Sequence, residues 1–485
     1  MKKYLQAIAV GILVSNTLAG QPYQVTVTSG YGGGNFFAGD TVAVYCKALL
    51  NDETFLNWSA DTNIEFLSDH SEWWSKFIMP AQDVHITANL NAPLPDDFLQ
   101  FELIRGKDNL KKVYYHLDFQ NKGIVFLFHG GNGQASNLVG YENYDKFYIV
   151  KQLIQNNYGV IISECEERTI HFDTDGSGNF TWSPRPYDTV NNPDYANFIA
   201  IRDTFAKKGL LHPDTPWFSW GMSNGGSFSS HFSYVFDCKA AAVYCASSQV
   251  PLVEATEVPI LFALMPNDEA IGIQGNNNAL ANHTILKNRG VCTKLFMNEK
   301  MPLYPQYFMR SNSISEHQST AIYNDLIINN CLDNKKFLIK SPAEIQSLFF
   351  TNPSQWMGIN NLKQEQKGQV SSLISIAYGG HELFSNYCAR TIAFFDSLCV
   401  DEITSVVNEL VNPVKIFPNP VKDRIHIEYD NSLNAVIYLA NASGQILESQ
   451  QNISHLDITS LPNGVYYLTI RTPQWIITRK LIKIE

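Results

Sequence analysis

Trp217-Phe218-Ser219-Trp220-Gly221-Met222-Ser223-Asn224-Gly225-Gly226-Ser227 joins an apolar run to a helical pattern that continues to Phe236. The order is strand, abrupt turn, helix, and in that context G-x-S-x-G carries information. A strand that turns at once into a helix leaves the corner residue in a strained conformation. Small residues two before and two after it, Gly221 and Gly225, avoid clashes there. The turn lifts the Ser223 hydroxyl above the strand end and sets it at the positive N-terminus of the helix. Ser223 is the expected nucleophile.

Three further signals flank this turn. Upstream, the apolar run Gly123–Phe128 ends in His129-Gly130-Gly131-Asn132-Gly133. Glycines there let backbone N–H groups reach a developing oxyanion. The expected donors are the N–H groups of Asn224 and Gly131, with Asn132 as alternate, while His129 stays with its loop as a structural histidine. Downstream, Pro259–Met265 is followed by Pro266-Asn267-Asp268. A carboxylate just past a strand end can orient an imidazole, so Asp268 is the expected acid and Glu269 its nearest rival. Last, Gly379-Gly380-His381-Glu382 follows a predicted strand, Ser372–Ala377, and precedes a predicted helix, Phe384–Leu398. His381 is the expected base, because His171, His283 and His317 lack a glycine turn at a strand end.

Between about 94 and 400, short apolar β-branched runs alternate with amphipathic helical patterns. Strands are predicted at Lys112–Phe119, Gly123–Phe128, Gly159–Ser163, Trp217–Trp220, Ala240–Cys245, Pro259–Met265 and Ser372–Ala377. Helices are predicted at Tyr144–Asn156, Tyr195–Lys208, Ser227–Phe236 and Phe384–Leu398. Such alternation predicts a doubly wound, mostly parallel sheet covered on both faces. Residues 270–362 break the rhythm and are predicted to form a cap or lid insertion.

With serine, acid and histidine in that chain order, residues 94–400 resemble the α/β-hydrolase superfamily. Within it, Gly221-Met222-Ser223-Asn224-Gly225-Gly226 and Asp194 resemble the secreted polyhydroxybutyrate depolymerases, feruloyl esterases and acetylxylan esterases. The resemblance implies a carboxylic ester hydrolase. The 112 residues between Asp268 and His381 depart from that group's pattern and leave the substrate open.

The flanks read as two small all-β additions. Residues 21–92 alternate as strands do from Tyr23 to Ser29. They resemble an internalin-type B repeat through Ala38-Gly39-Asp40, Phe55-Leu56-Asn57-Trp58 and Phe77-Ile78-Met79-Pro80-Ala81, which implies surface or substrate contact. After a linker at 401–414, residues 415–485 resemble the C-terminal sorting domain of type IX secretion. The motifs are Phe417-Pro418-Asn419-Pro420, Gly444 in a hairpin, Leu461-Pro462-Asn463-Gly464-Val465-Tyr466-Tyr467-Leu468 and the terminal Lys480-Leu481-Ile482-Lys483-Ile484. Residues 1–20 read as a secretory signal peptide, with Lys2 and Lys3 before the short apolar run Ala7–Val14. Together these imply a protein secreted from, or displayed on, a Gram-negative cell by the type IX machinery.

Composition narrows the rest. With 485 residues, 45% of them hydrophobic and 17% charged, the chain can build a large core. A net charge of −11 without a basic stripe argues against nucleic acid as a partner, and no run past the signal is long enough to span a bilayer. Export permits disulfides among the eight cysteines. Helix and strand lengths exclude Cys388–Cys399 and Cys238–Cys245 pairs, and leave Cys292–Cys331 open. Asp173-Thr174-Asp175-Gly176 spaces oxygens like the start of a calcium loop, but Pro184 stands where a twelve-residue loop needs its glutamate; a flexible Asx-rich loop is the alternative.

The expected chemistry is acyl transfer to Ser223 and then to water, with no metal or organic cofactor and an ester partner, polysaccharide-linked or polyester. A serine peptidase of the same fold and a non-catalytic adhesin or glycan-binding surface protein are the alternatives.

Overall fold

The structure, a computed structural model, describes residues 21–47, 52–212, 214–399, 414–429, 435–441, 446–471 and 476–484. The expected signal peptide, the linker up to residue 413 and the Gly444 turn lie outside them. The chain divides into two compact units, 1–399 and 400–485.

The larger unit is built on one sheet of eight strands. These are β1 (Gln100–Arg105), β2 (Leu110–His116), β3 (Gly123–Phe128), β4 (Tyr158–Ile162), β5 (Trp217–Met222), β6 (Ala240–Tyr244), β7 (Ile260–Leu264) and β8 (Thr293–Met297). Their order across the sheet is β8-β7-β6-β5-β3-β4-β2-β1. β2 runs antiparallel to both neighbours, and the remaining pairs are parallel. Every residue of β3, β4, β6 and β7 is buried, as strands covered on both faces must be. Along β3, Val125 and Leu127 enter one apolar core while Ile124, Phe126 and Phe128 enter the other. This is the α/β-hydrolase fold.

The site's position follows from the strand order. β3 has β4 on one side and β5 on the other, so connections leave it in opposite directions and open a crevice at the carboxyl ends. Phe128 at the end of β3 lies opposite Gly221 on β5. The His129–Gly133 loop and the Ser223 turn therefore emerge side by side.

Two expectations are corrected here, and one open question is answered. Ser372–Ala377 is not a strand; it is the end of a helix, Gln364–Tyr378. Val370, Leu373, Ile374 and Ala377 are its buried stripe, spaced at the helical i, i+3, i+4, i+7, a pattern that a short apolar run conceals. The break in rhythm also starts later than residue 270. A helix at Gly272–Asn288 leads into β8, which pairs parallel with β7. That helix is rich in Asn and β8 is only half-buried at the sheet edge, so neither shows a strong apolar pattern. The added segment is 298–378. The partner of Cys292, left open by the sequence, is Cys399; Cys331 is a free buried thiol. The bond ties the start of β8 to the end of the last helix, Cys388–Ser397, and encloses the whole addition.

Residues 21–92 form two sheets. One orders Gly34–Phe36, Tyr23–Thr28, Val84–Leu90 and Phe55–Ala60; the other orders Gly30–Tyr31, Thr41–Cys46 and Trp74–Ile78. They are not a free appendage. The Tyr45 hydroxyl donates to the Pro302 carbonyl (3.0 Å), and its ring stacks on Tyr304 at 4.0 Å. The Gln152 amide donates to the Phe55 carbonyl (2.7 Å). Arg310 is buried at the same junction, its guanidinium 3.6 Å from the Trp73 ring centre and 4.2 Å from that of Tyr144. It donates to Asp145 (2.8 Å) and to Ser385 (3.2 Å). Removing a charge pair from water is costly unless it is paired and bonded this way. Its partners come from the β-module, the helix Tyr144–Gln155 and the chain beyond His381, so Arg310 fastens the added segment to all three.

The smaller unit has a three-stranded sheet (Val414–Phe417, Arg424–Tyr429, His455–Asp457) and a four-stranded one (Ile446–Gln451, Val436–Asn441, Gly464–Arg471, Ile476–Lys483). Ile425, Ile427, Leu439, Leu456, Leu468 and Ile470 share its core.

Candidate active site

Ser223 has φ 58° and ψ −125° and caps the helix Asn224–Phe236. A left-handed serine stores strain of about 1–3 kcal/mol, which the surrounding contacts hold in place. A Cβ on Gly225 would lie 2.3 Å from the His129 carbonyl oxygen, and one on Gly221 would lie 2.1 Å from that of Gly225. The two glycines thus permit both the sharp turn and the close approach of the neighbouring loop. The Ser223 N–H donates to the Tyr244 carbonyl (2.9 Å), which anchors the corner to β6.

His381 and Asp268 meet from distant parts of the chain. Nδ1 of His381 lies 2.8 Å and 2.7 Å from the two carboxylate oxygens of Asp268. The Asp268 side chain is fully covered, and its Oδ1 accepts the N–H groups of Ala270 (3.0 Å) and Ile271 (3.1 Å). Behind it sits Cys245, whose thiol burial pushes well above the ordinary value, with the Asp268 charge acting in the same direction. The carboxylate therefore has a dry back and one open side, toward the imidazole.

Ser223 and His381 line one cavity of about 370 Å³, together with Phe128, Gly131, Leu138 and Met222. Gly131 has open space where a side chain would be. Asn224 opens its helix, so its N–H has no acceptor within it. Asn132 differs: its N–H donates to the Phe180 carbonyl (2.9 Å), and its side-chain oxygen accepts from the Phe180 N–H (2.8 Å). It is committed to loop structure and is not the alternate donor. Glu269 is not the group facing His381.

His129 is buried beneath the loop. Its Nε2 accepts the Cys165 N–H (3.2 Å), so the ring proton is on Nδ1, which donates to the Gly130 carbonyl (2.8 Å). Burial pushes its pKa down to about 4. Neutral and bonded at both nitrogens, it braces the loop.

Four supporting residues complete the site, and of these only Asp194 carried a sequence signal. Asn267 donates from its backbone to the Gly379 carbonyl (2.9 Å) and from its amide to the Tyr378 carbonyl (2.7 Å). Trp182 donates from its indole to the His129 carbonyl (3.0 Å) and from its backbone to the Asn224 side chain (2.8 Å), bridging the two glycine turns. Arg168 donates to the carbonyls of Asn132 and Gly133. Asp194 accepts the N–H groups of Glu166 and Ser183 (2.7 and 2.8 Å), tying the helix Pro193–Lys207 to this support.

Among the described residues, two groups of three donors have ligand atoms within 4.8 Å of one another inside each group, as a metal centre requires. In the first, Cys245, Asp268 and His381, the thiol is held protonated and Nδ1 is occupied by Asp268. In the second, Glu167, Asp173 and Asp175, the oxygens already accept loop N–H groups: Gly176 and Gly178 on Asp173, Ser177 on Asp175, and Thr174 and Thr181 on Glu167. That is an Asx-rich turn.

Residues 415–485 match the family of the secretion system C-terminal sorting domain. The tail is a sorting domain. It addresses this chain to a secretion system, hence to the cell surface or the medium. Among the described residues, no helix is long and apolar enough to cross a membrane. No curated protein sequence matches the chain. Similar solved structures include a ferulic acid esterase at 10% identity (TM-score 0.30; 42% of this chain, 91% of that one). A thermostable esterase is similar at 12% identity (TM-score 0.30; 58% and 91%). An acylaminoacyl peptidase from Pyrococcus horikoshii is similar at 11% (TM-score 0.31; 56% and 49%).

Proposed function

We propose that this chain is a secreted serine hydrolase of carboxylic esters. The observation that supports it most is the Asp268–His381 contact at 2.7 Å beside a cavity that holds both His381 and the strained Ser223. His381 takes the Ser223 proton as Oγ attacks the ester carbonyl. Asp268 keeps the ring proton on Nδ1, leaving Nε2 as the base, and stabilises the imidazolium that forms. The N–H groups of Asn224 and Gly131 hold the tetrahedral oxyanion. His381 then protonates the departing alcohol, and water repeats the sequence on the acyl-enzyme.

In this reading the signal peptide carries the chain across the inner membrane, and the sorting domain carries it across the outer membrane of a Gram-negative cell by type IX secretion. The substrate is an acyl or aryl ester on a polymer, either polysaccharide-linked feruloyl and acetyl groups or a polyester. A fluorophosphonate probe should label Ser223, and p-nitrophenyl esters should be hydrolysed far faster than aminoacyl anilides. Faster anilide cleavage would make the enzyme a peptidase. Absence of both labelling and turnover would leave a binding protein.

A further inference from the structure

The added segment was expected to cover Ser223 with aromatic residues, and it does not. Among the described residues, none from 298–378 lines the catalytic cavity. Tyr304, Tyr307, Phe308 and Trp356 are buried, and Phe349 and Phe350 line a groove elsewhere on the segment.

One ion pair in the catalytic cavity is left out of the acyl-transfer steps. Lys146 and Glu382 line the cavity with Ser223 and His381, and Lys146 Nζ lies 3.0 Å from Glu382 Oε1. Glu382 follows His381 directly in the chain. Its Oε2 accepts the Ser372 hydroxyl (2.6 Å), and Oε1 also accepts the Leu383 N–H (3.2 Å). Its backbone carbonyl accepts the Cys245 thiol (3.4 Å). Burial alone would raise the Glu382 carboxyl, but Lys146, the Ser372 hydroxyl and the Leu383 N–H outweigh it and hold it below the ordinary value. Glu382 is therefore a carboxylate at neutral pH.

These bonds set the path of the chain through the imidazole. The loop leaves the helix Gln364–Tyr378 at Gly379, whose φ is 77°, and the Gly380 N–H donates back to the Ser375 carbonyl (2.8 Å). Ser372, about one turn earlier, reaches the Glu382 carboxylate. The His381 loop thus lies back along the helix that ends the added segment. A second element holds the chain beyond the imidazole through two consecutive residues of the helix Tyr144–Gln155. Lys146 pairs with Glu382, and Asp145 accepts the Ser385 N–H (3.0 Å) and hydroxyl (2.6 Å).

Resting on the serine-hydrolase reading above, we propose that Glu382 is a positioning residue for His381, and that the added segment serves catalysis by fixing Glu382 through Ser372. Asp268 orients the imidazole ring, while Glu382 fixes the backbone that carries it. Proton transfer from Ser223 needs both, since a misplacement of about 1 Å can cost about 10²-fold in rate. The segment then acts on the base from behind and not on the substrate from above.

The test measures p-nitrophenyl acetate turnover together with fluorophosphonate labelling, which counts competent sites. Glu382→Gln keeps the shape and loses the charge; its kcat per labelled site should fall about tenfold with little change in KM. Ser372→Ala, which loses one hydroxyl at a half-buried position, should lower kcat severalfold in the same way. Lys146→Met should match Glu382→Gln, and Lys146→Arg should restore most of that loss. In every variant the full complement of sites should label, only more slowly. Fewer sites labelling at the wild-type rate would mean a structural role and overturn the proposal. A raised KM with unchanged kcat would overturn it in favour of substrate binding, and wild-type kcat in both Glu382→Gln and Ser372→Ala would overturn it outright. Should Glu382→Gln not fold, Ser372→Ala decides alone. A wild type that neither cleaves p-nitrophenyl acetate nor takes the label removes the serine-hydrolase reading itself.

Discussion

Asn267 and Tyr378 are joined by a 2.7 Å hydrogen bond from the Asn267 amide to the Tyr378 carbonyl, which ties the loop carrying Asp268 to the helix end from which the His381 loop springs. The neighbouring backbone bond to Gly379 makes it a two-point clasp. Asn267→Ala keeps every reacting group but loosens their alignment. Its kcat should fall about tenfold with little change in KM, and fluorophosphonate labelling of Ser223 should persist at a lower rate. An unaltered kcat would remove Asn267 from the positioning framework.

The proposed triad of Ser223, His381 and Asp268 predicts larger losses. Ser223→Ala should abolish probe labelling and lower ester turnover by several powers of ten without shifting the thermal midpoint. Asp268→Asn presents an amide to Nδ1 and destabilises the working tautomer, at a cost of about 10⁴ in kcat. Near-normal turnover in either variant would contradict the assignment.

The Cys292–Cys399 bond closes a loop with a sequence separation of 107. In the chain-entropy view a loop of that size is worth about 4–5 kcal/mol. Denaturant midpoints with and without reductant, and for Cys399→Ser, should show a loss of that order. Equal midpoints would indicate that the bond contributes nothing to stability.

The two flanking β units should respond oppositely to deletion. The sorting domain forms a compact unit of its own, so truncation after Cys399 should leave ester hydrolysis intact and stop export. Residues 21–92 share the core and the Arg310 cluster with the catalytic domain. Trp73→Ala should cost about 3–5 kcal/mol, and deleting 21–92 should yield insoluble protein. Soluble, active enzyme from that deletion would contradict the shared core.

Two buried imidazoles should oppose folding in mild acid, before most carboxylates are protonated. Burial pushes His129 and His231 each down to about 4. Unfolded imidazoles take up protons below about 6.5, so between 6.5 and 4 the unfolded state binds more protons and stability falls with pH. Asp194 acts the other way: burial raises it to about 6, and the folded state takes that proton first. Glu72, which burial raises well above the ordinary carboxylate range, acts with Asp194, so the two carboxyls offset part of the histidine loss. Removing one ring at a time isolates its share: His129→Gln and His231→Gln should each lose less unfolding free energy between pH 7 and 4.5 than the wild type, and unchanged profiles in both would contradict the burial of these rings.

The elbow at Ser223, the His129–Gly133 loop and the strand before Asp268 were legible because each is a local pattern: an apolar run ending in residues that only a tight turn demands. Their placement beside one another in the sheet followed from the alternation of strands and helices. The support of His381 was not legible. Val370, Leu373, Ile374 and Ala377 form a helix because that stripe is buried, and a run of six apolar or small residues fits a strand equally well. The Asn-rich helix and the half-buried β8 went unrecognised because an edge strand needs little apolar character to pair. Cys292–Cys399, the Asn267 clasp and the Arg310 cluster join residues far apart in the chain. Sequence by itself determined the sharp turn at Ser223, the sheet class and the sorting tail, since short-range backbone geometry and periodicity dictate them. Only the tertiary structure decided which loops meet around Ser223, what the segment 298–378 lines, and that the N-terminal β-module is part of the catalytic core, because those outcomes depend on packing between surfaces that no local pattern encodes.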